Sequence, residues 1–101
     1  MDQEPEFEWD QAKRRANLAK HLIDFADAIR IFDGPTFEKA QRRHNEDRML
    51  AVGMLEDIEI VVVYVRRTGR RRIISARKAH RDERQEYANH LKDTTKGSHG
   101  S

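Results

Sequence analysis

Arginine is the residue type in this chain that is best suited to do chemistry. Between Tyr64 and Lys92 there are ten Lys or Arg residues against three acids. A guanidinium group binds phosphate through two hydrogen bonds and stays charged at any working pH. Several such groups around one phosphate would stabilise the extra negative charge of a pentacoordinate transition state without a metal ion. This basic half therefore indicates a polyanion or an acidic protein as partner.

Cleavage of RNA also requires acid–base groups, one to deprotonate the 2′-hydroxyl and one to protonate the 5′-oxygen. The side chains that offer this chemistry are His44, Glu46, Glu83 and Tyr87. Their spacing does not distinguish a nuclease from a surface that only binds nucleic acid. Both functions therefore remain open on these residues alone.

Other familiar catalytic signatures are absent from the sequence, which contains no Gly-rich phosphate loop, no HExxH motif and no nucleophile elbow. The five histidines are scattered, and His80 with Glu83 is more typical of a solvated helix face than of a metal site. The chain has no cysteine, which excludes a disulfide framework and a thiolate metal site. We therefore expect no metal ion and no cofactor.

The composition indicates one small domain. The chain has 101 residues, 37% of them hydrophobic, and no apolar run approaches the length of a membrane span. The acidic N-terminus does not have the layout of a signal peptide, so we expect a cytoplasmic protein with no membrane contact. We place a single domain at 1–92 and expect 93–101 to be a disordered or expression-derived tail.

A β-hairpin must position most of the arginines. Residues 60–65 are a β-branched and aromatic run typical of a central strand, and Thr68-Gly69 suits a two-residue turn. This turn predicts the pairs Arg67–Arg70, Arg66–Arg71, Tyr64–Ile73, Val62–Ser75 and Ile60–Arg77. Alternation then predicts a core face made of Val61, Val63, Val65, Ile74 and Ala76. The opposite, open face would carry Val62, Tyr64, Arg66, Arg71, Ile73, Ser75 and Arg77.

The elements around this hairpin follow from caps and periodicity. Residues 7–9 predict an edge strand, Asp10 caps a helix over 13–21, and Asp24 caps a second helix that ends at Asp33-Gly34-Pro35. The remaining predictions are a short strand over 36–39, a charged loop over 42–47, a strand over 48–55 and a helix from about Ala79 to Leu91. In the third of these, Gly53 indicates a bulge or a close backbone approach.

Several motifs, taken in order, resemble the BrnT toxins of bacterial type II toxin–antitoxin pairs. They are FEWD, KH, E-x-R, VVVYVRR, RIISARKA and ER-x-x-Y. The resemblance covers about residues 7–90, and RIISARKA is its most specific piece. One departure is Leu22, because the family usually has a glycine after the Lys-His pair.

The resemblance implies an α+β, RelE-like fold, with a small antiparallel sheet, two N-terminal helices packed on one side and a C-terminal helix. It implies a ribonuclease that acts on RNA and arrests translation, and the arginine chemistry described above favours endonucleolytic cleavage without a metal ion. A requirement for the ribosome as a further partner stays open. The resemblance also implies a cognate ribbon–helix–helix antitoxin, in a 2:2 complex that binds operator DNA and represses its own operon.

The resemblance also suggests site residues. Its catalytic positions fall on Arg66, Arg77, Glu46, Arg48 and Tyr87. The RNA-binding positions we expect are Lys13, Lys20, His21, Arg67, Arg71, Arg72 and Arg81.

Most of these positions have a structural alternative. An Arg77–Glu83 ion pair, a Glu46–Arg48 pair and core packing of Tyr87 would each be ordinary. The β-hairpin as a whole also has a structural alternative, in which its arginines only keep a half-exposed hairpin soluble. The functional alternatives are a non-catalytic basic module that binds nucleic acid or an acidic protein, and a surface that chiefly binds the antitoxin.

Overall fold

The computed structural model describes residues 6–99, with side chains described as far as Asp93. These residues form one five-stranded sheet, three α-helices and a 3₁₀ helix, which confirms the predicted α+β class. The elements are β1 Phe7–Trp9, α1 Gln11–His21, α2 Phe25–Ala28, the 3₁₀ helix Ile29–Asp33, β2 Phe37–Arg43, β3 Glu46–Leu55, β4 Ile58–Arg67, β5 Arg70–Lys78 and α3 Arg81–His99. Of the predicted tail, 93–99 falls within α3, whereas 100–101 lie outside the described residues, as do 1–5.

The sheet is mixed, whereas the prediction was an antiparallel one. Its strand order is β1-β5-β4-β3-β2, and the four strands from β2 to β5 form an antiparallel meander. Strand β1 runs parallel to β5, with Phe7 opposite Arg71 and Trp9 opposite Ile73. No tight turn joins these two strands, so the connection does not dictate their relative direction. The short β1 covers an edge of β5 that would otherwise be unpaired.

Two predicted caps form as expected in the N-terminal half. The Asp10 carboxylate accepts the backbone N–H of Lys13 at 3.0 Å, and the Asp24 carboxylate accepts the N–H of Ala26 at 3.1 Å. Asp24 also accepts two hydrogen bonds from Arg14, at 2.7 and 3.0 Å, which tie α1 to the start of α2.

Both faces of the sheet are buried, which corrects the prediction of one open face. Val62, Tyr64 and Ile73 were expected on the open face, yet each is at most 2% exposed beneath residues of α2 and the 3₁₀ helix. On the opposite face, Val61 and Val63 pack with Tyr87 of α3. The mostly charged sequence of α3 gave no indication of this contact, because a helix needs only a few apolar side chains to bury one stripe of its surface.

A bulge in the β4–β5 pair changes the predicted register. The pairs from the turn to Tyr64–Ile73 are as predicted, but Val63 then pairs with Ser75 and Val61 with Arg77. The predicted pairs Val62–Ser75 and Ile60–Arg77 are therefore wrong. An extra residue in one strand moves all later side chains to the other face. Arg77 consequently lies on the α3 face of the sheet, whereas Arg66 and Arg71 lie on the opposite face.

A buried amide holds the strand just beyond this bulge. Asn17 of α1 donates to the carbonyl of Ala76 at 2.9 Å and accepts the N–H of Ala76 at 3.1 Å. Asn17 is 7% exposed and also donates to the carbonyl of Ile23. A buried amide with its partners satisfied stabilises the contact that makes them. Asn17 thus fixes α1 against β5 at this register.

Strand β2 includes most of the short strand predicted over 36–39, but 42–47 is the end of β2, a tight turn and the start of β3, which corrects the prediction of a charged loop there. Strands β2 and β3 are joined by the two-residue turn His44-Asn45, whose φ angles are 52° and 61°. Two positive φ angles are typical of the type I′ hairpin turn. Strand β2 lies at the sheet edge, where charged side chains discourage pairing with other chains. That position explains why so polar a segment is a strand.

Two further predictions concern packing and length. A Cβ atom added at Gly53 would lie 2.8 Å from Cβ of Ile31, which confirms the close approach predicted there. Helix α3 begins at Arg81 and ends at His99, later at both ends than predicted. No helix among the described residues is long and apolar enough to cross a membrane.

Candidate functional site

Arg77 and Glu83 form a closed ion pair where β5 meets α3. Two hydrogen bonds join the guanidinium to the carboxylate, at 2.8 and 2.9 Å. Glu83 also accepts the backbone N–H of His80, the residue before α3, at 2.7 Å. A glutamate at the third helical position commonly caps the helix start in this way. The pair therefore joins the end of β5 to the first turn of α3.

This environment makes Glu83 a poor general base. Its hydrogen bond from Arg77 lowers the pKa of the Glu83 carboxyl to about 2, and its side chain is 9% exposed. The same hydrogen bond raises the pKa of Arg77 above its ordinary value. A base whose pKa is far below neutrality accepts a proton weakly. The contacts thus favour a structural role for both residues, and a catalytic role for Arg77 stays a prediction.

Tyr87 is an anchor of α3. It is 3% exposed, and its hydroxyl donates to the carbonyl of Pro35 at 3.1 Å. Burial, and then the nearby Glu59 carboxylate, raises the pKa of Tyr87. A buried phenol that already donates its proton to the backbone is not placed to protonate a leaving group. Packing, the structural alternative for Tyr87, agrees with these contacts.

At the other end of the sheet, strands β3 and β4 separate. Their pairing stops at Met49–Tyr64, although β3 begins at Glu46 and β4 continues to Arg67. Beyond that point each strand pairs only with its outer neighbour, β3 with β2 and β4 with β5. The separation opens a cleft between the two hairpins. This inter-hairpin cleft is lined by Ala40, Gln41, Arg42, Asp47, Arg48, Met49, Val65 and Arg66.

Two of the predicted catalytic arginines line this cleft. Arg48 lies on the β3 side and Arg66 on the β4 side. Arg66 is exposed, and its guanidinium lies 5.9 Å from the centroid of the Tyr64 ring. In the described part of the chain it has no carboxylate partner. Such a cation is available to a phosphate group.

Glu46 lies beside the cleft and pairs with Arg48 through one hydrogen bond of 3.0 Å. The Glu46 side chain is 52% exposed and that of Arg48 is 19% exposed. Within the described residues, the second carboxylate oxygen of Glu46 has no hydrogen-bond partner, and His44 is exposed in the adjoining turn. This pair is thus accessible to a ligand, in contrast to Arg77–Glu83.

The predicted catalytic set does not converge on one point. Arg48 and Arg66 line the cleft and Glu46 is bonded to Arg48. Arg77 is bonded to Glu83 of α3, and Tyr87 is itself part of α3. Arg77 is six residues beyond Arg71, the β5 partner of Arg66, which corresponds to ~20 Å along a strand. The bulge also turns Arg77 to the other face. One phosphate group therefore cannot contact both Arg66 and Arg77.

Two predicted RNA-binding arginines are engaged inside the protein. The guanidinium of Arg71 lies 4.5 Å from the ring centroid of Phe32 and 5.5 Å from those of Phe7 and Tyr64. Arg72 donates to Glu8 of β1 at 3.1 Å. Stacking and pairing of this kind support β1 and the helices against the sheet.

One of the three rings around Arg71, that of Tyr64, is also bonded to the edge strand β2. Burial, and then a hydrogen bond to Glu38 of β2, raises the pKa of Tyr64. The Tyr64 hydroxyl donates to Glu38, and the Tyr64 ring is buried in the core, so both the hydroxyl and the ring of this side chain are held in place. Arg66 therefore packs on a ring whose position is fixed by its own contacts.

The other predicted RNA-binding cations are dispersed. Arg67 is exposed at the end of β4, close to the cleft, and Arg81 is exposed at the start of α3. Lys13 and Lys20 are exposed on α1, and His21 lies with Leu55 and Ile58 near the β3–β4 turn. In the described residues no group of three His, Asp or Glu side chains is arranged to hold a metal ion.

Sequence reasoning missed three cleft residues, Gln41, Arg42 and Asp47. Arg42 and Asp47 belong to the segment 42–47 that was predicted as a loop, and Gln41 directly precedes it. Arg42 pairs with Asp47 at 2.8 Å across the β2–β3 hairpin, with both side chains mostly exposed. The signal that would have located them is the Asn in His44-Asn45, since Asn favours positive φ and thereby a tight hairpin turn.

A comparison with protein families finds a match over most of the chain. A family described as the ribonuclease toxin BrnT of type II toxin–antitoxin systems matches residues 9–83. The matched range includes the cleft and the Arg77–Glu83 pair, and it ends before Tyr87. No curated protein matches the chain.

Proposed function

Because the chain belongs to the BrnT family of ribonuclease toxins of type II toxin–antitoxin systems, we propose that it cleaves RNA at the inter-hairpin cleft without a metal ion. The family implies an RNA substrate and an antitoxin partner. The observation that carries the proposal is the separation of β3 from β4, which leaves Arg48 and Arg66 lining one cleft beside an accessible carboxylate.

Phosphate binding is the first part of this proposal. Arg66 has no carboxylate partner in the described residues and is supported by the Tyr64 ring. Arg43 and Arg67 are also exposed at this end of the sheet, so the positive potential extends along a bound RNA strand. Planar guanidinium groups on both sides of the cleft suit a phosphodiester that enters between them.

Transfer of a proton is the second part. Glu46 accepts the proton of the 2′-hydroxyl, and Arg48 orients the Glu46 carboxylate through its hydrogen bond. The 2′-oxygen then forms a bond to phosphorus while the bond from phosphorus to the 5′-oxygen breaks. His44 gives its proton to the departing 5′-oxygen. The products are a 2′,3′-cyclic phosphate and a free 5′-hydroxyl.

The test compares two glutamates of similar exposure on one RNA substrate in EDTA. Glu46→Gln should lower the cleavage rate by ~100-fold or more, the usual contribution of a general base. The matched control is Glu86→Gln on α3, because the Glu86 carboxylate pairs with Lys39 of β2 and the side chain is 42% exposed. That variant should cleave like the unaltered protein.

Two results would contradict the proposal. Full cleavage by Glu46→Gln would exclude Glu46 as the base. Loss of all cleavage in EDTA, with recovery on adding Mg²⁺, would exclude the metal-independent reaction.

We further propose the cellular role that the family resemblance implies. In it, RNA cleavage in the cytoplasm inhibits translation, the fold is RelE-like, and the ribosome presents the RNA. A ribbon–helix–helix antitoxin neutralises the toxin in a 2:2 complex that represses its operon by binding operator DNA. Light scattering of the purified complex would measure the stoichiometry. Cleavage assays with and without ribosomes would test their requirement.

One observation favours a second candidate function, a basic module that binds nucleic acid without cutting it. Lys13, Lys20 and Arg81 are exposed cations far from the cleft, and none has an ion-pair partner within the described residues. A dispersed basic surface predicts binding that weakens steeply with salt and yields no product. Product formation that depends on Glu46 would decide in favour of the nuclease.

A further inference from the structure

Leu22 combines a left-handed backbone conformation at the end of α1 with an exposed apolar side chain. It follows the last residue of α1 with φ 61° and ψ 27°, and its N–H donates to the carbonyl of Leu18 at 2.9 Å. This left-handed position favours glycine, because a side chain there is strained. The Leu22 side chain is also 82% exposed. The protein thus bears strain in order to present an apolar side chain to the outside.

Leu22 borders a groove at the β3–β4 end of the sheet. The groove lies between the α1–α2 junction and the β3–β4 turn, and its apolar lining includes Leu22, Leu55 and Ile58. Ile58 is 47% exposed, and Ile23 and Ile60 lie buried beneath. Grouped exposed apolar side chains are typical of a surface that binds another molecule.

The charged side chains that line the groove are three carboxylates, Asp24, Asp27 and Glu56, two cations, Arg30 and Lys78, and His21, so carboxylates outnumber the permanent cations. Asp27 is exposed and forms no ion pair within the described residues, although Arg14 lies close enough for the two charges to interact. Glu56 lies 3.7 Å from Arg30, and both side chains are more than half exposed, so this pair is weak and open to exchange. Carboxylates beside apolar side chains repel phosphate groups. They suit a peptide segment with apolar anchors flanked by lysine or arginine.

The groove is remote from the cleft. The cleft lies at the Glu46 end of β3 and the groove at the Leu55 end, nine residues later, which corresponds to ~30 Å. A ligand in the groove therefore does not touch the residues proposed to cleave RNA. Binding and cleavage are separable by mutation.

We propose that this groove anchors the antitoxin through an amphipathic segment whose apolar side chains cover Leu22 and Ile58 and whose cations meet Asp27 and Glu56. The proposal rests on the toxin–antitoxin membership, as the proposed function does, but not on RNA cleavage. Strain at Leu22 is then explained, because the side chain serves the partner and not the fold.

The experiment titrates the purified antitoxin encoded beside this chain's gene into purified variants and measures Kd by calorimetry. Leu22→Gly should unfold at the same or a higher temperature, because glycine relieves the strain, yet bind at least ~10-fold more weakly. Ile58→Thr, which keeps a β-branched residue in β4, should also bind at least ~10-fold more weakly. RNA cleavage by both variants should be unchanged.

The matched control is Met54→Thr, because Met54 is 44% exposed near the same turn but lies on the opposite face. Its Kd should be unchanged. Glu46→Gln should bind the antitoxin normally while losing cleavage, which separates this proposal from the proposed function.

Three outcomes would overturn the inference. Equal antitoxin affinity of Leu22→Gly and the unaltered chain would remove the anchor. A free chain that dimerises through Leu22 would identify a second copy as the occupant. Reduced RNA cleavage by Leu22→Gly would assign the groove to the RNA site.

Discussion

Two arginine–glutamate pairs in this molecule have similar chemistry and opposite surroundings. Arg77 and Glu83 make two hydrogen bonds to each other, and Glu83 also accepts a backbone N–H from the start of α3. Arg48 and Glu46 share one hydrogen bond at the open cleft. The Glu83 side chain is 9% exposed, whereas that of Glu46 is 52% exposed. Residue type alone therefore does not identify a site, because the number of partners and the exposure decide the role.

The first prediction tests the closed pair. Arg77→Ala should lower the free energy of unfolding by about 3 kcal/mol, because it leaves the Glu83 charge buried without its partner. Arg48→Ala should cost about 1 kcal/mol or less, since its partner stays in water. Urea unfolding of both variants measures the difference. Equal losses would erase the distinction between the two pairs.

The second prediction concerns pH. The pKa of Glu83 is lowered from 4.5 to about 2, so its stabilising effect is present above pH 4.5 and is lost as the pH falls towards 2. The free energy of unfolding should therefore decrease across this range in the unaltered protein. Arg77→Ala should flatten that decrease, and Arg48→Ala should preserve it. An unaltered slope in Arg77→Ala would show that another carboxylate is responsible.

The third and smallest effect is expected at Tyr87. Tyr87→Phe removes the hydrogen bond to the Pro35 carbonyl and keeps the packed ring, so it should cost about 1 kcal/mol. The RNA cleavage rate per folded molecule should be unchanged, because the hydroxyl is far from the cleft. A large loss of cleavage with little loss of stability would return Tyr87 to the catalytic set.

Local signals predicted much of the fold. Asp10 and Asp24 were identified as caps from their type and position, and the Thr68-Gly69 turn set the first pairs of the β4–β5 hairpin. Gly53 was identified as a close approach, because glycine within a strand commonly marks one. The caps and the turn depend on neighbours in sequence, and Gly53 is identified by its residue type alone.

The features that sequence reasoning missed depend on distant contacts. The bulge places Ala76 where Asn17 of α1 holds it, 59 residues away in sequence, and no residue in RIISAR signals that contact. The point where β3 leaves β4 is equally invisible, because both strands continue in a strand-like pattern beyond it. The candidate site was thus only partly predicted. Arg48, Arg66 and Glu46 were named, but their separation from Arg77 was not foreseen.

One measurement tests the central claim most directly, namely the rate of RNA cleavage per folded molecule for Arg66→Gln and Arg77→Gln, in EDTA. Arg66→Gln should be slower than the unaltered protein by ~100-fold, comparable to the loss of one charge-stabilising donor in an active site. Arg77→Gln should be less stable yet cleave at nearly the full rate. The opposite result, with Arg77→Gln inactive and Arg66→Gln active, would contradict the assignment of the cleft as the site.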